Sequence, residues 1–243
     1  MKRTIKLTIE YDGTGYVGWQ RQPNGRTVQN EIEQALFKIT QVETGIVGAG
    51  RTDSGVHARG QAASFQTSSQ LSMNDLLRAL NGNIPEDIVI HNAEVVADDF
   101  SARFSAVSRE YRYFICSLPT AIERNFCWQC GYRMDIEKMK RTAQSIIGIH
   151  DFQSFCKSDS EVEHYRCEIF ESNWTNEGSR LIYHVRANRF LQGMVRALVG
   201  TMVNVGRGYT EEKEFVSIID ARNRSKAGQA APAKGLFLER VTY

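Results

Sequence analysis

The sequence has little net charge and no long apolar stretch, and each shortage narrows what the chain can be. Lysine and arginine total 30 against 28 aspartates and glutamates, a formal net charge of +2. The strongly basic balance common in nucleic-acid-binding domains is therefore missing. Nucleic acid still stays open as a partner, because binding follows where charge clusters rather than its sum. No apolar run approaches the roughly 20 residues that cross a bilayer. Met1-Lys2-Arg3 leads into an alternating strand pattern instead of an apolar signal core, so a cytoplasmic location is expected. Low-complexity linkers and short-period repeats are also missing.

Cysteine is scarce and odd in number: Cys116, Cys127, Cys130, Cys156 and Cys167. Without a secretory signal, that count predicts free thiols. Cys127-Trp-Gln-Cys130 has the spacing of half a zinc site, but no second C-x-x-C or H-x-x-x-H pair follows it. Buried thiols and no bound metal are the expectation. What is present, 42% apolar and 24% charged residues in 243, is the balance of a globular chain. That length suits one large domain or two smaller ones.

Residues 4–11 alternate, with Ile5, Leu7, Ile9 and Tyr11 on one side, and predict a half-buried strand. Thr27 is placed to cap a helix whose apolar positions Val28, Ile32, Ala35, Leu36 and Ile39 keep a helical period. Strands are expected at 45–49 and 61–66, with a polar loop over 50–60 between them. Ser72 to Asp75 resembles a capping box ahead of Leu76, Leu77 and Leu80. Further strands are expected at 87–96, 109–117, 164–175, 180–188 and 236–241. Helices are expected at 136–147 behind Asp135, at 190–205, and at 211–220 behind Thr210. Several strands follow one another without a helix between them, the pattern of an α+β fold with antiparallel or mixed sheet.

The densest polar segment is Gly50-Arg51-Thr52-Asp53-Ser54-Gly55-Val56-His57-Ala58-Arg59-Gly60. Its glycines let backbone approach a ligand closely, and loops held between strands often carry function. Taken alone, Asp53-Ser54-Gly55 also fits a plain turn in which the carboxylate bonds the backbone amide two residues on.

Residues 51–58 closely resemble the signature loop of the tRNA pseudouridine synthase A family. Other blocks match in the same order along nearly the whole chain. They include Glu10-Tyr11-Asp12-Gly13, Gly18-Trp19-Gln20-Arg21-Gln22, Asn81 to Ile88, Ser101 to Ala106 and Arg109-Glu110-Tyr111-Arg112-Tyr113. His150 to Phe155, Met194-Val195-Arg196 and Ala231 to Leu238 complete the series.

The resemblance implies isomerisation of uridine to pseudouridine at positions 38, 39 and 40 of the tRNA anticodon stem-loop. It implies no cofactor and a homodimer gripping one tRNA, with no role for DNA or membrane. The implied fold is two α+β halves, 1–107 and 108–243, sharing a central, mostly antiparallel sheet with helices packed on it and a cleft between the halves. By the same resemblance Asp53 is the catalytic carboxylate, Arg196 its ion-pair partner, and Tyr111 the tyrosine that stacks on the base. Arg51 fills the space left by a flipped uridine. Arg21 and Arg103, with Arg59, Arg109, Arg112 and Lys157, are candidates for the RNA-facing surface.

Each of these residues also has a plainer reading. Arg196 lies in an apolar segment and either pairs with an acid or snorkels to solvent. Tyr111 also reads as a core aromatic, and Tyr113, two residues on, should point the same way. Ser54 stands where the family often has alanine, and its hydroxyl is expected within reach of the Asp53 carboxylate. Stretch 118–130 matches nothing in the resemblance. The rival readings are the same chemistry on other RNA uridines, an RNA-binding protein without catalysis, and a zinc-dependent nucleic-acid enzyme using Cys127 and Cys130.

Overall fold

Alternating burial builds the first strand, β1 (Arg3–Tyr11), which turns Ile5, Leu7, Ile9 and Tyr11 into the interior. Each such aliphatic side chain contributes roughly 1.5–3 kcal/mol by leaving water. The computed structural model describes residues 2–158 and 162–243. The fold is α+β with mostly antiparallel sheet, and its chain divides into two compact units, Met1–Val107 with Leu238–Tyr243, and Ser108–Phe237.

In the first unit β1 is followed by α1 (Val28–Thr40), β2 (Val47–Gly48), β3 (His57–Thr67), α2 (Met73–Asn81) and β4 (Ile88–Val96). Strand β1 pairs antiparallel with β3 on one side and β4 on the other, and β2 adds to β3. The chain's last strand, Leu236–Thr242, lies beside β3. The expected halves assign all of 108–243 to the second. In the structure Leu238–Tyr243 groups with the first unit.

Helix α1 starts where Thr27 Oγ1 accepts the Asn30 N–H at 3.4 Å, and it buries Val28, Ile32, Ala35 and Leu36. Helix α2 starts where Ser72 Oγ accepts the Asp75 N–H at 3.1 Å, burying Leu76 and Leu80. The Asn81 side chain then bonds both the N–H and the C=O of Ile90, tying the helix end to β4.

The second unit runs β5 (Ser108–Cys116), β6 (Trp128–Gln129), α3 (Ile136–Gln144), β7 (Gly148–Asp151), β8 (Arg166–Glu177), β9 (Arg180–Ala187), α4 (Met194–Gly206) and α5 (Glu212–Asp220). Its sheet order is β5-β9-β8-β7, all antiparallel, with β6 pairing parallel to β5. Strands β8 and β9 form a hairpin in which Glu177 faces Arg180, and Gly178 supplies the positive φ of 63° at the turn.

The following departures from the sequence expectation each have a local reason. Strand β3 begins at His57, inside the polar loop, because Ala58 pairs with Tyr11 across a bulge after Ile9. Helix α3 stops at Gln144, and Gly148 at φ 103° opens β7 where helix was expected. Helix α4 starts at Met194 instead of 190, since Gly193 takes φ 71°. Helix α5 is capped by Glu211, not Thr210: the Glu214 carboxylate accepts the Glu211 N–H at 2.8 Å. Among the described residues, no helix is long and apolar enough to cross a membrane.

Candidate active site

The turn at Asp53 is built from backbone. The Asp53 carbonyl accepts the Val56 N–H at 3.1 Å, and Gly55 sits at φ 75°. This is the arrangement of a type II turn, which demands positive φ at its third residue. The preceding segment clamps it from behind: Trp19 N–H donates to the Thr52 carbonyl at 3.1 Å and Gly55 N–H to the Tyr16 carbonyl at 3.3 Å. Because the Gly55 amide is committed to Tyr16, the simple reading of Asp53 as a carboxylate folded onto that amide does not hold. Asp53 itself is half-buried.

Two glycines make the clamp possible. A Cβ on Gly13 would lie 2.0 Å from the Val56 carbonyl oxygen, and one on Gly18 2.7 Å from that of Thr52. Gly18 also holds φ 114°. Only glycine lets the two segments approach so closely.

Buried polar contacts fix the rest. The Tyr11 and Thr52 hydroxyls meet at 2.8 Å. The fully buried His57 accepts the Gly13 N–H at Nδ1, 3.0 Å away. Asp12 Oδ1 is 3.1 Å from the same nitrogen. A nitrogen that accepts has no proton to give, so that contact is no ion pair. Asp12 instead takes up the Thr14 N–H and hydroxyl at 2.9 and 2.6 Å.

Behind Tyr16 lies a second layer. Its ring is covered by the Arg26 guanidinium 4.4 Å away, and its hydroxyl donates to Asp87, which Arg26 grips at 2.8 and 3.1 Å. Burial, then the bond to Asp87, pushes the Tyr16 hydroxyl far above its ordinary pKa. The layer holds Tyr16 in place. The Ser54 hydroxyl also joins Tyr16, donating to its carbonyl at 3.1 Å. That corrects the expectation that it would reach toward Asp53.

Arg51 is exposed in the same loop, two residues from Asp53. Arg21 follows the clamping segment and makes a long contact of 3.4 Å with Glu33, its side chain mostly in solvent. Arg103 is exposed in the turn before β5, its guanidinium 5.3 Å from the ring of the exposed Phe104. Among the other basic candidates, Arg59 pairs with Glu239 at 2.6 Å and Arg109 donates to the Asn188 carbonyl at 2.8 Å.

Tyr111 and Arg196 belong to the second unit. Tyr111 on β5 faces Val185 of β9 across the ladder and is buried, its ring edge-on to Phe190 at 5.1 Å. Phe190 belongs to the turn that leads into α4, and Arg196 stands in the first turn of that helix. Arg196 Nε donates to the Ala231 carbonyl at 2.8 Å, while the Ala231 N–H returns to the Arg196 carbonyl at 2.9 Å. The segment making these bonds is pressed on the helix. A Cβ on Gly200 would meet the Gln229 carbonyl oxygen at 1.9 Å.

Tyr113 is separated from Tyr111 by its hydroxyl. Fully buried, it donates to the Pro232 carbonyl at 2.8 Å, and burial raises its pKa well above the tyrosine range. Its proton is thus committed to structure. Cys127 packs with Cys116, Phe114, Ile182 and Phe237 in an apolar cluster, and burial pushes its thiol up to about 12.

A family model for tRNA pseudouridine synthase matches residues 7–105 and 142–243. The chain belongs to the tRNA pseudouridine synthase family. As a member it is an isomerase of tRNA processing. Asp53 and Arg196 lie within the matched residues, and Tyr111 in the stretch between them. Full-length relatives agree. The tRNA pseudouridine synthase A 2 of Clostridium perfringens is 42% identical over 243 residues, 99% of this chain and 100% of the relative. The tRNA pseudouridine synthase A of Chlorobaculum tepidum is 45% identical over 243 residues, 100% of this chain and 98% of the relative. That of Bacillus pumilus is 43% identical, covering 98% of each.

Sequence reasoning missed the residues that back the loop: Gly13, Gly18, Tyr16 and the Arg26–Asp87 pair. Glycine at both 13 and 18 within a run of aromatic residues was the available signal.

Proposed function

We propose that this chain converts uridine to pseudouridine at positions 38, 39 and 40 of the tRNA anticodon stem-loop, with Asp53 as the catalytic carboxylate. The observation that carries the reading is the Asp53 turn itself. Its backbone is held by Tyr16, Trp19 and Val56, and Gly55 gives the turn the positive φ it requires. Preorganisation of this kind is what a reacting group needs.

In the proposed reaction the bond from ribose C1′ to N1 breaks and C1′ bonds to C5. The C5 proton departs and N1 ends up protonated, so atoms balance without a cofactor. Asp53 assists as a nucleophile or as a base on the ribose. Arg196, its Nε anchored on Ala231, is proposed to keep the carboxylate ionised, since a nearby cation favours the charged form.

Tyr111 is proposed to stack on the base, its ring steadied by Phe190. The uridine leaves its helix before reacting, at a cost of a few kcal/mol, and Arg51 takes its place. Arg21 and Arg103 are proposed to contact the RNA backbone, which carries most duplex RNA recognition together with shape and 2′-hydroxyls. The working form in this reading is a cytoplasmic homodimer.

Transcripts carrying uridine at 38, 39 and 40, mapped for pseudouridine after incubation with the protein, test the site assignment. Modification at those positions supports it. Modification only elsewhere in the RNA replaces it with the same chemistry on other uridines.

A further inference from the structure

Helix α4 ends in a group that the proposed reaction does not use. Arg207 follows Gly206 directly, and its guanidinium carbon lies 3.6 Å from the ring centroid of Tyr132 and 4.4 Å from that of Tyr209. Both rings are largely in solvent, Tyr132 at 54% and Tyr209 at 71% exposure. Exposed aromatics are ordinary singly. Here two of them share one arginine.

The arrangement is held rigidly from below. Gly208, at φ 78°, turns the chain so that its N–H reaches the Val205 carbonyl at 3.0 Å and the Tyr209 N–H the Asn204 carbonyl at 2.9 Å. The stretch after Tyr132 is tied to the same helix end, because the Asp135 N–H donates to the Gly206 carbonyl at 2.8 Å. Gly206 itself leaves room for Met139, whose sulfur would lie 2.6 Å from an added Cβ.

Among the described residues, no carboxylate or carbonyl accepts a bond from the Arg207 side chain. Arg141 of the same unit is by contrast locked in a two-bond pair with Glu212 at 2.9 and 2.8 Å. A planar five-donor group held against two rings, with its bonding edge unspent, matches what a phosphate takes. An exposed tyrosine face matches what an unstacked base takes.

We infer that Tyr132, Arg207 and Tyr209 form a second RNA contact, which stacks one unpaired nucleotide on a tyrosine face and binds its phosphate with Arg207. This rests on the reading of tRNA as substrate and adds a contact that the chemistry of Asp53 does not need. The ring supplies affinity without base identity, since every base has a π-face, and the guanidinium supplies the salt-dependent part.

The test is equilibrium binding of a full-length tRNA transcript to the intact protein and to Tyr209→Ala, Tyr209→Phe and Arg207→Lys, each checked by thermal unfolding. Tyr209→Ala should bind about 10-fold more weakly, and Tyr209→Phe, which keeps the ring, like wild type. Arg207→Lys keeps the positive charge at the helix end but loses the planar fork, and should weaken binding several-fold. In steady state, Tyr209→Ala should raise KM and leave kcat unchanged. Wild-type affinity and KM in both Tyr209→Ala and Arg207→Lys, with the wild-type protein still active, would overturn the second contact alone. Failure of the wild-type protein to bind tRNA at all would overturn both this contact and the function it rests on.

Discussion

The Asp53 turn and helix α4 both press one backbone against another, and both depend on glycine to do so. At the turn the glycines, Gly13 and Gly18, sit on the neighbouring segment, and hydrogen bonds from Trp19 and Gly55 fix the contact. At α4 the glycine is in the helix, where Gly200 admits the Gln229 carbonyl and the surrounding side chains are nearly all buried. The turn is therefore positioned by backbone. The helix is positioned by packing and carries Arg196 as one polar group on an apolar element.

The comparison can be broken by adding a single methyl group. Gly200→Ala should cost about 3 kcal/mol, the upper part of the overpacking range, because its Cβ would meet a backbone oxygen that cannot rotate away. Gly13→Ala should cost a similar amount, and the fraction still folded should also turn over poorly, since Val56 and with it the Asp53 turn must move. Gly50→Ala, with nothing within 4 Å of its Cβ, should stay within about 0.5 kcal/mol of wild type. Chemical unfolding together with activity per folded molecule reads all three. Equal loss of specific activity in Gly50→Ala and Gly13→Ala would contradict the backing role of Gly13.

A smaller effect separates the two tyrosines of β5. Tyr113→Phe leaves the Pro232 carbonyl without its buried donor and should lower stability by about 1–2 kcal/mol, with turnover little changed. Tyr111→Ala, which removes the ring proposed to stack on the base, should slow turnover per folded molecule, while Tyr111→Phe, which keeps the ring, should turn over near wild type. If Tyr113→Phe is slower than Tyr111→Ala, the two roles are exchanged.

Much of this was legible in the sequence, and the part that was not has a common cause. Period and capping chemistry are local, so β1 follows its alternation and α1, α2 and α3 start where Thr27, Ser72 and Asp135 place them. Strand β3 was read as starting too late because Ala58 is paired by register with Tyr11, and register is not written in residues 57–60. Strand β7 and the two-residue β6 are too short to show a period.

The Asp53 loop stood out by its residue types. What holds it did not, because Gly13 and Gly18 owe their importance to a segment some 40 positions away. Tyr111 and Tyr113 read identically until the Pro232 carbonyl distinguishes them. Thr210 reads as the cap of α5 by residue type, and only the Glu214 carboxylate, which takes the Glu211 N–H, moves the cap to Glu211.

The smallest expected effect concerns the thiols. Burial raises Cys127 and Cys167 to about 12, above the roughly 8.5 of a free cysteine. The folded chain keeps these protons where the unfolded chain has lost them. Their contribution to stability is thus complete below about pH 8.5 and fades as pH rises toward 12. Alkylation at pH 8 followed by peptide mass analysis should find both unmodified in the native protein. Rapid labelling of either would show that its environment is open.

In the proposed reaction the Asp53 carboxylate performs the chemistry. The direct measurement is tritium release from anticodon-arm uridines labelled at C5, by wild type and by Asp53→Asn, with tRNA affinity measured alongside. Release by wild type, a loss of at least about 10³-fold in the variant, within the range set by removing an acid–base or nucleophilic group, and unchanged tRNA affinity are the predicted result. Equal release by both proteins would contradict the account and remove Asp53 from the reaction.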